Sequence, residues 1–441
     1  MQFPDTIFAL SSGRPPSGVA VIRLSGPHVR AALEAIAGSV PPARAATLRA
    51  FRAADGGVID RGLALFFPAP LSFTGEDCAE FQLHGGRAVV DGMLETLTRM
   101  HGLRPAEAGE FTRRAFLNGK MDLVEAEALA DLIAAETEAQ RRFAVASADG
   151  AQSALYAGWR KRILHARAMI EAELDFADEA DVPGSASSQV WADMAALAGE
   201  IDGHVAGFHR AEIIREGFSV VIAGAPNAGK SSLLNALAKR DVAIVTDEPG
   251  TTRDLLHVAL DLDGVKVNVT DTAGLREVAG KVETIGIERA LATMRTADLI
   301  VCLEDLGAPV KVALPEMAGQ VLRVGSKVDL VGPRAGDDAS AFDLVISTRS
   351  GVGMTDLVEI IAARAKAAVG DVDTLIPARA RHVALLQKAG AHLVDSLAEG
   401  SPLELRAEAL RLAGEVFGRI AGTLDVEEVL GVIFSEFCIG K

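Results

Sequence analysis

The segment GAPNAGKSS (224–232) constrains this chain more than any other. It fits G-x-x-x-x-G-K-[ST], and its flanks fit too. The apolar run FSVVIAG, of strand length, precedes it, and the helical pattern SSLLNALAKR overlaps its end. Gly224 and Gly229 permit backbone conformations that aim N–H groups at phosphate oxygens. The helix that follows offers its positive N-terminus. Lys230 reaches the β and γ phosphates and Ser231 ligates Mg²⁺, with Asn227, Ala228, Gly229 and Ser232 completing the cradle. A glycine turn met by chance would not carry a GKS core with both flanks. Part of the chain must therefore be an α/β unit that binds a nucleoside triphosphate.

Further elements stand downstream in the order of a GTPase. TDEPGTTRD (246–254) brings Thr246, Asp247, Glu248, Pro249 and Gly250 to the nucleotide. Its Thr251 and Thr252 offer a second hydroxyl to Mg²⁺ and a sensor of the γ-phosphate; we take Thr252, with Ser231, as the Mg²⁺ pair. DTAGL (271–275) follows the alternating run VKVNVT. There Asp271 holds Mg²⁺ through water, Thr272 and Ala273 border the phosphates, and Gly274 presents its N–H to the γ-phosphate. SKVD (326–329) supplies Ser326, Lys327 and Asp329. A carboxylate at Asp329 accepts two hydrogen bonds from guanine N1–H and the exocyclic amine, which adenine cannot donate. GTPases usually have N-K-x-D, and here Ser326 replaces Asn. The shorter side chain can still bond the phosphate loop, more weakly, so guanine specificity is expected to survive with some loss of affinity. STRSG (347–351) closes the base site with Ser347, Thr348 and Arg349; a backbone N–H meets guanine O6, so Thr348 in place of the commoner Ala matters little.

Ras-like proteins follow DTAG with a water-orienting glutamine, whereas Leu275 stands here. Leucine cannot orient water, so catalysis must lie elsewhere. Arg276, Glu277 and Glu283 lie ahead of the helical run IGIERALATM, and Glu283 is the stronger candidate because its segment can fold over the γ-phosphate. Its bland alternative is a charge that caps or solvates the helix. No arginine finger is required. A monovalent cation could supply that charge, with Asn227 offering an oxygen beside the phosphates and the Thr246 and Glu248 carbonyls completing the shell; Asn227 is otherwise a turn-former.

The rest of the chain is organised around this unit. Its 441 residues exceed one ordinary core. Residues 1–118 mix short strand-like runs such as VAVIRLSG (19–26) and LALFFPAP (63–70) with Gly and Pro punctuation, which reads as a compact α+β domain. From Met121, apolar Leu123, Ala126, Leu129, Leu132 and Ile133 recur at helical spacing, and helical texture covers 119–213 apart from a break near 181–188. Strand-length runs FSVVIAG, DLIVCLE (298–304), QVLRVGS (320–326) and FDLVIS (342–347) alternate with helices in 214–370, which implies a parallel sheet. Residues 371–441 are helical again and share the composition of 119–213, so the α/β domain reads as an insertion into one all-α domain.

Charge and composition exclude other classes. The net charge of −16 disfavours a DNA-coating or membrane-surface role. With two Trp and one Tyr, base-stacking platforms are not expected. Cys78, Cys302 and Cys438 are far apart, with no C-x-x-C, so neither a disulfide framework nor a zinc site is expected. No signal peptide and no apolar run of about 18 residues is visible. A cytoplasmic protein without a membrane partner is the expectation. The ending FSEFCIGK (434–441) fits a prenylation box poorly, and Ile433, Phe434 and Phe437 at helical spacing argue that this end docks.

VIRLSG (21–26), FTGEDCAE (73–80), HGG (84–86), GEFTRRAFLNGKMDLVEAEALADLI (109–133), the GTPase elements and the final FCIGK together resemble the tRNA modification GTPase MnmE (TrmE) family over essentially the whole length. The resemblance implies a multidomain fold: an N-terminal α+β domain that binds a 5-formyl- or methylene-tetrahydrofolate and forms a homodimer, an all-α helical domain, and an inserted Ras-like P-loop G domain. It assigns folate contacts to Arg23, Glu80, Lys120 and Lys441. It assigns a K⁺ ligand to Asn227, to which Thr246, Glu248 and Thr251 are expected to add the rest of the shell, and the catalytic role to Glu283. It also implies a flavoprotein partner, MnmG, through which alone FAD enters. Together the two place a carboxymethylaminomethyl or aminomethyl group on C5 of the wobble uridine of certain tRNAs. An acidic chain is compatible with this if the partner carries most of the RNA-binding surface. A docked tail brings Lys441 and Cys438 toward the folate site, and Cys438 is either part of the modification chemistry or a packing residue.

Two other classes compete. A regulatory or ribosome-assembly GTPase would share the phosphate loop but would need neither a folate site nor the CIGK ending. A folate-binding scaffold with a degenerate G domain is hinted at only by Ser326, and intact Lys230, Ser231, Asp271 and Asp329 argue against it.

Overall fold

The computed structural model describes residues 3–175, 185–240, 242–244, 257–271, 291–310, 314, 320–331, 341–422, 427–435, 437 and 440. The chain divides into two compact units, one made of Met1–Ala130, Ala148–Ser187 and Ala398–Lys441, the other of Asp131–Ser147 and Ser188–Leu397.

The first unit is built on strands β1 (Thr6–Leu10), β2 (Ser17–Ser25), β3 (Thr47–Arg52), β4 (Val58–Phe67), β5 (Cys78–Gly85) and β6 (Leu103–Pro105), in the sheet order β3-β4-β5-β2-β1-β6. Period-two alternation explains its faces. Ala20, Ile22 and Leu24 of β2 and Ala79, Phe81 and Leu83 of β5 are buried in one core with helices α1 (Val29–Ala37) and α2 (Arg87–Thr98). The alternate residues Val19, Val21, Arg23, Glu80 and Gln82 therefore lie on the opposite face. Arg23 pairs in register with Glu80 across β2 and β5, so their side chains share that face.

Helices α3 (Glu110–Leu117) and α4 (Leu123–Ala134) follow the sheet. Farther along, α6 (Ala151–Asp175) packs on α12 (Leu403–Ala421), which lies beyond the second sheet in sequence. Their seam is aromatic: Trp159 meets Tyr156 with ring centroids 5.8 Å apart and Phe417 at 6.1 Å. Helix α13 (Glu427–Ser435) brings Leu430, Ile433 and Phe434, with Phe437 after it, onto Leu123 and Ala126. The approach is close. A Cβ on Gly109 would stand 2.4 Å from the Phe434 carbonyl oxygen, and one on Gly440 2.3 Å from that of Leu10.

The second unit holds β7 (Phe218–Gly224), β8 (His257–Leu262), β9 (Val265–Asp271), β10 (Leu299–Asp305), β11 (Gln320–Ser326) and β12 (Leu344–Val345), in the order β12-β11-β10-β7-β9-β8. Central β7 and β10 are covered on both faces, which is why FSVVIAG and DLIVCLE read as near-continuous apolar runs. Helices α8 (Phe208–Glu216), α9 (Lys230–Ala238) and α10 (Met354–Val369) pack on the sheet, and Ala139 and Phe143 of α5 (Glu138–Ala148) join the same core.

The sheet departs from the wholly parallel expectation at one edge. β8 pairs antiparallel with β9 across Asp263-Gly264, whose φ angles are +53° and +82°. Both positive values match a type I′ hairpin, for which Asp-Gly is a favoured pair. FDLVIS contributes only two residues to strand β12; Ile346 still donates its N–H to Gly325, and its carbonyl accepts from Val328 as the chain passes into the loop beside β11.

Candidate functional site

The phosphate loop runs from the end of β7 to the start of α9. Gly224 is needed there because a Cβ would lie 2.5 Å from the Leu303 carbonyl oxygen on the neighbouring strand. Asn227 and Gly229 both take left-handed backbone conformations, at φ +65° and +97°. The loop therefore curls and opens the first turn of α9 toward its own concave side. Lys230 is 7% exposed, and its Nζ donates to the carbonyls of Gly224 (3.0 Å) and Ala225 (2.9 Å), which holds the ammonium across the loop. Ser231 Oγ donates to Asp271 Oδ2 at 2.7 Å. Two oxygen-bearing groups, a carboxylate at the end of β9 and a hydroxyl at the start of α9, thus converge beside the loop, and their chemistry suits Mg²⁺, the hydroxyl directly and the carboxylate through water.

The SKVD and STRSG segments are built on β11 and the loop after β12. Ser326 is 4% exposed; its Oγ lies 2.7 Å from the Ala228 carbonyl and 3.1 Å from that of Glu304. Lys327 takes φ +61° and donates from Nζ to Asp305 Oδ2 at 2.7 Å. That hydrogen bond and the lysine's charge, against a smaller opposing effect of burial, hold the Asp305 carboxyl below its usual range. Asp329 follows in an exposed single turn, Val328–Leu330. Ser347 is fully buried, and its Oγ accepts the N–H groups of Arg349 (3.2 Å) and Ser350 (3.1 Å). This turn leaves Thr348 and Arg349 exposed. Asn227, Ala228, Gly229, Lys230, Ser231, Ser232, Asp271, Ser326, Lys327, Asp329 and Ser347–Arg349 all belong to the second unit. Thr246–Thr252, Thr272–Gly274, Leu275 and Glu283 lie outside the described residues.

The first unit contains a cavity of about 400 Å³ lined by Arg23, Phe73, Cys78, Glu80 and Lys120, with Arg44 and Phe67 also on its wall. Arg23 Nε and Nη2 both donate to Glu80 Oε1, at 3.1 and 2.9 Å. The guanidinium also stands 5.5 Å from the centre of the Phe73 ring, an arrangement with a cation–π component. Lys120 Nζ donates to the Pro70 carbonyl at 3.1 Å. Arg23, Glu80 and Lys120 thus share one wall-to-wall space, whereas Lys441 and Cys438 lie outside the described residues. The neighbouring Gly440 is described: its carbonyl accepts from Ser11 Oγ at 2.7 Å.

Much of the FTGEDCAE and GEFTRR segments holds this wall in place. Arg114, 1% exposed, binds Asp5 (2.7 Å), Glu110 (3.1 Å) and Glu76 (3.3 Å). Ser25 Oγ bonds Glu76 Oε2 and Thr74 Oγ1, each at 2.6 Å. Sequence reading missed Arg44 and Asp305. Arg44 sits in no recognisable motif, and the signal for Asp305 was only its place after an apolar strand.

A family model described as the MnmE helical domain matches residues 123–438, and one described as the GTP-binding protein TrmE N-terminus matches 6–120. A tRNA modification GTPase MnmE of Mesorhizobium japonicum is 62% identical over 440 residues, 99% of each chain. One of Brucella melitensis is 58% identical over 442 residues, covering all of this chain and 99% of its own length. Among solved structures, the G domain of the T. maritima FeoB iron transporter aligns with 33% of this chain and 98% of its own at 23% identity and TM-score 0.26.

Proposed function

The chain belongs to the MnmE (TrmE) family of tRNA modification GTPases, and on that premise we propose that it couples potassium-dependent GTP hydrolysis to modification of C5 of the wobble uridine, using a tetrahydrofolate one-carbon donor. That it is a GTP hydrolase of tRNA modification follows from the family. The nucleotide half of this reading rests most on the Ser231–Asp271 contact beside Lys230, because these groups meet where a Mg²⁺-bound triphosphate has to be gripped.

In this reading the loop N–H groups and α9 bind the phosphates, and Lys230 exchanges its carbonyl partners for phosphate oxygens. Ser231 and Thr252 would hold Mg²⁺, Asp271 would act on it through water, and the ion would supply charge neutralisation to the triphosphate. Asn227, with Thr246, Glu248 and Thr251, holds K⁺. Asn227's left-handed, exposed position at the loop crest fits a ligand as well as a turn. Asp329 reads guanine, while Ser326 keeps its loop fastened to the phosphate loop. Glu283 orients the attacking water.

The folate is assigned to the cavity of Arg23, Glu80 and Lys120, with Lys441 joining from the docked tail. Its volume is that of a small-molecule site. Among the described residues Arg23 bonds Oε1 of Glu80, and in this reading Oε2 takes pteridine N–H groups. We further propose a homodimer through the N-terminal domain (1–118), a helical domain formed by 119–213 and 371–441, and a G domain at 214–370. Packing of α6 on α12 supports the discontinuous helical domain. Exposed Val19 (57%) and Leu48 (69%) on the open sheet face support the dimer. The flavoprotein MnmG is the proposed partner and carrier of FAD, and the cytoplasm the proposed location. No helix among the described residues is long and apolar enough to cross a membrane.

The test is mass spectrometry of wobble uridines in tRNA from cells lacking this protein, with and without its gene restored. Loss of the C5 group and its return on restoration are expected; an unchanged nucleoside profile would refute the substrate assignment.

A further inference from the structure

We propose that Arg44 is a specificity-determining residue of the first unit's cavity, which with Lys120 clamps the carboxylates of the ligand's glutamate tail. This rests on the folate reading of that cavity and deepens it. The wall carries three cations, Arg23, Arg44 and Lys120, against one carboxylate, Glu80. Arg23 and Glu80 neutralise each other on the sheet, where their side chains are 26% and 18% exposed. Arg44 and Lys120 are exposed at the rim. Neither has a carboxylate partner among the described residues. Each is bound instead to a carbonyl of one loop, Arg44 Nη2 to that of Leu71 and Lys120 Nζ to that of Pro70. A carbonyl orients a cation without cancelling its charge, so the rim keeps two positive charges, anchored to adjacent carbonyls of one loop.

The backbone makes the same point independently. Arg44 takes φ +60°, a conformation that penalises a residue with a Cβ and leaves glycine unpenalised. Its N–H is fixed to the Phe66 carbonyl at 2.8 Å, which locks this geometry next to the strand end. The guanidinium then lies 5.9 Å from the centre of the Phe67 ring, on the cavity wall. A long cationic side chain held at a position where glycine would be easier implies a use for the side chain. A tetrahydrofolate matches the arrangement. Its pteridine is neutral and rich in N–H groups, which suits Glu80 at the sheet. Its glutamate carries two carboxylates, which suit two rim cations.

The experiment measures binding of 5-formyltetrahydrofolate and of 5-formyltetrahydropteroate, the same molecule without glutamate, to the full chain and to Arg44→Ala and Arg44→Lys. The unaltered chain is expected to prefer the glutamate-bearing form by about 10- to 100-fold. Arg44→Ala should cut that preference to within about threefold while leaving pteroate binding unchanged, and Arg44→Lys should keep part of it. GTP turnover and thermal midpoint of both variants should match the unaltered chain. Equal loss of both ligands in Arg44→Ala, or no preference in the unaltered chain, would overturn the proposal. Binding of neither form by the unaltered chain would remove the folate reading itself, and Arg44's role with it.

Discussion

Ser326 Oγ lies 2.7 Å from the carbonyl oxygen of Ala228, so a hydroxyl at the end of β11 ties that strand to the phosphate loop. Glu304's carbonyl, at 3.1 Å, competes for the same hydrogen. A hydroxyl has one proton to donate, whereas the asparagine amide usual at this place has two.

Ser326→Ala should remove the one proton that the Ala228 and Glu304 carbonyls share. We expect a stability loss of about 1–3 kcal/mol and about tenfold weaker GDP binding. Ser326→Asn should bond both carbonyls and tighten GDP. Fluorescent-nucleotide titration and thermal melts report both, and weaker binding by the Asn variant would mean that the pocket is packed around serine.

Ser231→Ala removes the hydroxyl bonded to Asp271 and, in our reading, a Mg²⁺ ligand. Affinity for GTP with Mg²⁺ should fall about 10- to 100-fold, while GDP binding in chelator changes by less than about threefold. An equal loss with and without Mg²⁺ would assign Ser231 to the fold of the loop.

Hydrolysis should be faster in K⁺ than in Na⁺ by about tenfold or more, and Asn227→Ala should erase the difference. Glu283→Ala should lower kcat by about 100-fold or more with GTP affinity kept. Equal rates in the two salts would discard the cation, and near-normal turnover of the Glu283 variant would move the water-orienting group elsewhere.

Gly440→Ala places a Cβ 2.3 Å from the Leu10 carbonyl at a φ of +100°, so the tail cannot seat as it does. Folate affinity and tRNA modification should drop about tenfold or more while GTP turnover persists. Faster proteolysis of the tail would show that it has undocked; loss of GTP turnover in parallel would make the tail a support of the whole fold.

His204 gives the protein an acid limit. Burial is the main cause that pushes its pKa down to about 4, and nearby His382 adds to it, against the Leu375 backbone bond. The unfolded chain protonates this imidazole near its ordinary 6.5, so it binds more protons than the folded chain between the two values. Stability should therefore fall as pH drops from about 6.5 to 4, by on the order of 2 kcal/mol. Denaturant midpoints across this range should flatten in His204→Leu; an unaltered slope would place the titration on other groups.

Features held within a few consecutive residues were legible from the start. GAPNAGKSS carries its own turn, helix start and charge, and β7, β10 and β11 appear where their apolar runs stand. The antiparallel edge was legible too, in Asp263-Gly264, but only to a reading that gives Asp-Gly its hairpin meaning. Alternation in VAVIRLSG located a strand but could not say that Arg23 faces Glu80, because register joins residues 57 positions apart.

What the chain determined alone is local: the phosphate grip, the helix and strand types, and the family. What tertiary structure decided is which distant atoms meet. Ser326 finds Ala228, Gly440 finds Leu10, and Arg44 joins Lys120 at one rim. Dihedral preference and hydrophobic period act over a few residues, whereas hydrogen bonds and charge clusters depend on distance in space, which only the packed chain sets.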